Sequence, residues 1–194
     1  MALWENDAEI IELCKKGEAN LFKILVDRYT SPLFNFAARL VGPENAPDIL
    51  QEVFLKAWKN LKKFDSKKAS FKTWIFTIAR NSCTDFSRKK KQILFSEMED
   101  KETEESFEES IPDEVLLQDE IFQKMEDEKL LGSALEKLLP EYRSILILHY
   151  AEDMTFDEIG KILKKPPNTV KSRHYRAILS LRKILSRQMH QIAE

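Results

Sequence analysis

The chain is expected to be all-α, with two small helical domains joined by an acidic flexible linker and a helix-turn-helix closing the second. Three observations lead there. Only 4 Gly occur in 194 residues, and turn dipeptides are few, which disfavours a fold of many short strands. Apolar residues recur three and four apart through most long segments. Charge is segregated: Glu97 to Glu120 hold twelve acidic residues and one Lys, while residues 1–91 hold 17 Lys or Arg against 11 Asp or Glu. Residues 135–194 hold 11 against 7, so two basic bodies flank an acidic strap. A hydrophobic content of 43% with 12 Phe and 3 Trp can support a packed core.

The first body, residues 1–92, reads as helical nearly throughout. Between Glu18 and Leu40, Leu21, Leu25, Tyr29 and Leu33 fall at helical spacing, and Pro32 is expected to kink or break the run. Gly42 to Pro47 is a loop, with Pro47 suited to the first turn of the next helix. That helix, Asp48 to Leu61, carries Ile49, Val53, Leu55, Trp58 and Leu61 as apolar positions. A basic loop, Lys62 to Ser70, precedes a helix from Phe71 to about Lys89. There Phe71, Trp74, Ile75, Ile78 and Phe86 form a core stripe. Helical spacing predicts that both Trp58 and Trp74 pack in the core.

Residues 93–120 form the linker, and Ser96 to Glu114 combine low hydrophobicity with high charge, a composition that does not fold alone. The second body, residues 121–194, opens with an amphipathic helix from Glu128 to Leu139. Pro140 can start the next helix, which runs to Tyr150. Thr155 and Glu158 then make a T-x-x-E capping box, a specific helix-start signal. The helix Phe156 to Leu163 is expected to bury Phe156, Ile159 and Ile162, and Pro167 can occupy the first turn of the last helix. In that helix Val170, His174, Ala177, Leu181 and Leu185 share one face.

From Gly160 to Ala193 there are nine Lys or Arg and no Asp or Glu. Solvated surface helices usually interleave both signs for i,i+4 pairs, so a one-signed helix behind a turn points to DNA. Residues early in a groove-inserted helix meet base edges, and later cations meet phosphates. Lys171, Ser172, Tyr175 and Arg176 are therefore better specificity candidates than Arg182 or Lys183. Catalysis is not expected. The chain has no Gly-rich phosphate loop, no metal-ligand cluster and no Ser/His/Asp arrangement of interpretable spacing, so no enzyme activity, cofactor or metal is implied. Cys14 and Cys83 stand apart and suit a reducing cytosol as small core hydrophobes. The sequence shows neither a signal peptide at its start nor an apolar run of membrane-spanning length, so a cytoplasmic protein without membrane insertion is expected.

Two blocks resemble the extracytoplasmic-function group of bacterial sigma factors. Asp48 to Lys91 is similar to that family's second conserved region, and Leu135 to Arg173 to its fourth. The resemblance implies an alternative sigma factor that binds core RNA polymerase and directs promoter-specific initiation. It places polymerase binding on Asp48, Gln51, Glu52 and Phe54. Reading and melting of the minus-10 element fall on Phe64, Asp65, Ser66 and Lys67 in the loop, and on Arg80, Asn81, Asp85 and Arg88 in the helix. Opened strands are captured by pockets and cationic tracks, and an aromatic beside short polar groups can supply a pocket. Lys89, Lys90 and Lys91 would grip phosphate.

Duplex recognition at minus-35 falls on Thr169, Lys171, Ser172, Arg173, Tyr175 and Arg176. The acidic strap resembles the family's linker through the polymerase, and its charge mimics nucleic acid. An anti-sigma protein is an expected further partner. Two positions depart from the pattern: Asn168 replaces a common Gly, and His174 stands where an aliphatic is usual, as expected of a core or polymerase-facing residue. A stand-alone helix-turn-helix regulator and a helical adaptor for acidic proteins are the rival classes. The Asp48–Lys91 block argues against the regulator, which needs no basic loop and aromatic helix of that kind.

Overall fold

The computed structural model describes residues 6–95 and 128–193, with side chains for 6–90 and 130–188. Helices α1 (Asp7–Lys15), α2 (Phe22–Val41), α3 (Ala46–Asn60) and α4 (Phe71–Phe95) build the first body. Short 3-10 turns, Ala19–Leu21 and Leu61–Lys63, precede α2 and follow α3. The second body contains α5 (Glu128–Glu136), α6 (Pro140–Leu146), a π-helical segment Ile147–Ala151, α7 (Phe156–Leu163) and α8 (Pro167–Ala193). No strand occurs among the described residues. Of the expected linker, 93–120, residues 93–95 belong to α4, and 96–120 lie outside the described residues.

Local chemistry sets most of the boundaries. Asn6 caps α1 by accepting from the Ala8 amide at 2.9 Å. Ser70 caps α4 by accepting from the Thr73 amide at 3.1 Å. Pro47 sits in the first turn of α3, as its fixed φ favours. At α7 the capping box is complete: the Glu158 amide donates to Thr155 Oγ1 at 3.3 Å, and the Thr155 amide donates to Glu158 Oε2 at 3.0 Å.

Several expectations are corrected. Pro32 lies inside an unbroken α2. Its missing N–H forfeits one ladder bond, and the buried stripe Leu25, Tyr29, Leu33 and Phe36 outweighs that loss of about 3 kcal/mol. Helix α4 continues to Phe95 rather than ending near Lys89, while α5 stops at Glu136. The helix begun by Pro140 loosens into the π segment before Tyr150. Trp58 is 41% exposed, because Val53, Ala57 and Leu61 already fill the inward stripe of α3 and leave it on the flank against Phe22. Trp74 does pack inward, 5.2 Å from Phe64 and 5.6 Å from Phe71 between ring centroids.

The core is continuous across both bodies. One buried cluster runs from Ile10, Leu25 and Phe36 through Ile75 and Phe76 to Leu148, Ile159 and Val170. A second, around Ala134, Leu138, Leu146, Ala177 and Leu181, joins α5, α6 and α8. Cys14 and Cys83 are both buried and unpaired, as expected. Burial raises both thiols, that of Cys83 to about 12 with help from the Glu52 charge, so neither is a ready nucleophile. No helix among the described residues is long and apolar enough to cross a membrane.

Candidate nucleic-acid interface

Helix α8 is fixed from one side and free on the other. Val170, His174, Ala177, Leu181 and Leu185 are all buried, as their spacing predicts. Lys171 and Arg176 are exposed, and Thr169, Ser172 and Tyr175 are half-buried beside them. Tyr175 and Arg176 lie three and four residues after Ser172, so both neighbour it on one polar stripe. Ser172 Oγ donates to the Thr169 carbonyl at 3.0 Å, which ties down the first turn. Arg173 differs from its neighbours. It forms an ion pair with Glu141 of α6, which Lys165 also approaches at 3.8 Å. That ion pair joins α8 to α6.

The turn before α8 explains its placement. Lys164 ends α7 in the left-handed region at φ 55°, and the Lys165 amide donates to the Gly160 carbonyl at 2.9 Å. A Cβ on Gly160 would stand 2.7 Å from the Lys165 carbonyl oxygen, so only glycine admits so close a return of the chain. His174 is 4% exposed and completes an aromatic nest with His149, Tyr150 and Phe156. Its Nε2 lies 3.1 Å from the Tyr150 hydroxyl, and His149 Nδ1 lies 2.9 Å from the Met154 carbonyl. Burial, aided by the neighbouring His149, pulls His174 down to about 4. It is a neutral core residue, as expected from its departure from the aliphatic pattern.

The loop before α4 is folded rather than open. Asp65 Oδ1 accepts from the Lys67 amide at 3.0 Å, and the Lys68 amide donates to the Asp65 carbonyl at 3.1 Å. Asp65, Ser66 and Lys67 are exposed at its tip. Phe64 is not. It is 5% exposed, with its ring edge-on to Phe71 and its carbonyl accepting from Lys15 Nζ at 2.9 Å. The expectation that this aromatic helps form a base pocket is corrected: it anchors the loop from below. Along α4, Asn81, Asp85 and Arg88 lie on one side, with Arg88 paired to Asp85 at 3.2 Å. Arg80 is half-buried, and Lys89 and Lys90 are exposed. The side chain of Lys91 lies outside the described residues.

On α3, Asp48, Gln51 and Glu52 are exposed at helical spacing, and Phe54 is half-buried. Glu52 pairs with Lys56 and accepts from Ser82 Oγ at 3.4 Å, linking α3 to α4. Sequence reasoning missed what completes this face. Leu55, 53% exposed, and Trp58 continue it as an apolar seam beside the acids. The signal was available: both residues sit four and seven positions from Gln51.

Fold and surfaces together define a two-body helical DNA-binding protein with a helix-turn-helix. Residues 25–93 match Sigma-70 region 2, and residues 128–181 match Sigma-70, region 4. The chain is 34% identical over 178 residues to the ECF RNA polymerase sigma factor SigW of Bacillus subtilis (strain 168), covering 90% of this chain and 94% of that one. It is 29% identical to the ECF RNA polymerase sigma-E factor of Escherichia coli (strain K12), covering 88% and 90%. Among solved structures, CnrH in complex with the cytosolic domain of CnrY aligns at TM-score 0.66 and 22% identity, over 93% of this chain and 97% of that one. The sigma factor RpoE of Bartonella quintana, in complex with the anti-sigma factor NepR, aligns at TM-score 0.65 and 24% identity, over 85% and 96%. These two likenesses concern the fold. The chain belongs to the extracytoplasmic-function sigma factors, and it acts as an alternative sigma factor in transcription.

Proposed function

We propose that this sigma factor binds core RNA polymerase through α3, opens the minus-10 element with the loop and outer face of α4, and holds minus-35 duplex with α8. The observation that carries the reading is the pairing of two basic surfaces, in family order, with an acidic and apolar face on α3. Asp48, Gln51 and Glu52 would meet a basic surface of polymerase, and Phe54, Leu55 and Trp58 its apolar seam. Asp65, Ser66, Lys67, Arg80, Asn81, Asp85 and Arg88 would receive the opened strand, with Phe64 as the floor of the loop. Thr169, Lys171, Ser172, Tyr175 and Arg176 would enter the groove, with Arg173 holding the helix in place. Residues 1–92 and 121–194 are taken as the two promoter-reading units, and 93–120 as their linker. The working site is the cytoplasm, the role is non-catalytic, and an anti-sigma protein is the expected inhibitor.

Run-off transcription with purified core polymerase tests the reading directly. Addition of the chain should yield a promoter-dependent transcript that core alone does not make. Failure to bind core and to support any transcript, across several candidate templates, would sink it.

A further inference from the structure

Nine Lys or Arg and no acid occupy Gly160 to Ala193, so any carboxylate that meets these cations must come from elsewhere in the chain. Glu141, in the first turn of α6, is such a carboxylate. Its Oε2 pairs with Arg173 of α8, and Lys165 Nζ, in the turn before α8, stands 3.8 Å from Oε1. Oε1 is buried and accepts no hydrogen bond among the described residues, so Lys165 approaches it through charge alone. All three side chains are half-buried. Lys171, Arg176, Arg182 and Lys183 have no acid partner among the described residues. An acid in a first turn is favoured by the helix dipole whatever it faces. The dipole accounts for Glu141 at that position, but not for its hold on two cations from beyond α6.

The place of the two cations decides what the pairing does. Arg173 comes four residues after Thr169 and three before Arg176, so it flanks the polar stripe of α8. Lys165 lies between α7, placed to cross the DNA backbone, and α8, placed to enter the groove. Freed from Glu141, both would reach for phosphate. On a wrong sequence nothing fixes the helix, which can tilt until each free cation finds a phosphate. On the right sequence base contacts fix its register, and a freed cation gains only where a phosphate already stands. Each phosphate contact adds about 0.9 to the slope of log affinity against log salt. Withholding the two cations therefore weakens binding to wrong sequences more than binding to the right one.

We propose that Glu141 is a specificity-determining residue that never touches DNA: it holds Arg173 and Lys165 off the phosphate backbone, so that α8 grips duplex chiefly through its base-reading stripe. This role rests on the reading that α8 holds the minus-35 duplex. Glu141 is a positioning residue, because it acts only through the two cations it pairs.

Core polymerase loaded with wild-type or variant chain tests it, titrated over a series of salt concentrations against two promoter fragments. The fragments share one minus-10 element and differ only in whether minus-35 is intact or scrambled. Both derive from a template that supports run-off transcription. Failure of that assay sinks the functional reading, whereas failure here sinks only the role of Glu141. Glu141→Gln keeps the size of the side chain and an oxygen for Arg173, and removes the charge. It should steepen the salt slope on the scrambled fragment by about 1–2 and tighten that complex several-fold at low salt. Preference for the intact fragment should shrink several-fold. Adding Arg173→Met should take back about 1 of the extra slope. Arg173→Met alone should leave the slope at its wild-type value, since a guanidinium held by Glu141 makes no phosphate contact. An unchanged slope or an undiminished preference in Glu141→Gln overturns the role, and so does a slope that falls by about 1 in Arg173→Met alone. If Glu141→Gln proved unfolded by circular dichroism, Arg173→Met alone would still decide.

Discussion

Arg176 and His174 are two residues apart on α8 and have opposite fates. Arg176 is exposed on the polar stripe, so a groove would meet it early. If it reads a base, Arg176→Ala should weaken specific promoter duplex by about 1–3 kcal/mol and leave non-specific binding little changed. Titration against promoter and scrambled duplexes checks this, and equal losses on both would make Arg176 a phosphate contact. His174 faces inward, where burial and His149 lower it to about 4. A folded value below the unfolded one of about 6.5 means that the fold favours the neutral ring. The stability so gained is whole above pH 6.5 and is lost as pH falls toward 4, a change of about 3 kcal/mol. Melting between pH 7 and 4.5 should therefore be steeper for wild type than for His174→Leu, and parallel curves would refute the assignment. Sequence spacing foresaw both fates because the period of α8 is long and regular. It could not foresee that Phe64 is buried, since the three aromatics that enclose one another there depend on a turn of the loop.

At the scale of elements, signals carried within a few residues were legible: the Thr155–Glu158 box, Pro47 in a first turn, and Pro167 opening α8. Signals that need a third partner were not. Pro32 reads as a breaker locally, yet the packed stripe beneath it keeps α2 whole. The π segment has no sequence period of its own, and its role shows only in what it delivers, with Tyr150 turned to His174 and Glu152 to Lys72. The turn between α7 and α8 offers a direct test of local strain. Lys164 is exposed and holds φ 55°, where a Cβ meets the following carbonyl. Lys164→Gly removes that clash and should stabilise the protein by about 0.5–1 kcal/mol, read as a higher urea midpoint at unchanged slope. A lower midpoint would show that the turn carries no such strain.

The whole molecule is held by interactions that no local pattern announces, and Arg143 is the clearest case. Its guanidinium donates to the Arg39 carbonyl at 2.9 Å, to the Leu138 carbonyl at 3.1 Å, and to that of Glu136. Arg39 belongs to the last turn of α2, and Glu136 ends α5, so one cation satisfies orphan carbonyls at two helix ends from two bodies. Burial pulls the guanidinium below its ordinary value, and the nearby Glu136 charge opposes that shift. In sequence this residue is an ordinary Arg in a short helix, 104 positions from its farthest partner. Arg143→Met keeps the stem and removes the donors. With hydrogen bonds from a charged donor worth about 1.5–3 kcal/mol, it should cost about 2–3 kcal/mol and lower the melting point by about 5 °C or more. Because one core runs through both bodies, the wild type should melt in a single calorimetric transition. Arg143→Met should broaden or split that transition as the second body loses its hold on α2. A variant that melts with wild-type midpoint and shape would show that the apolar core alone joins the two halves.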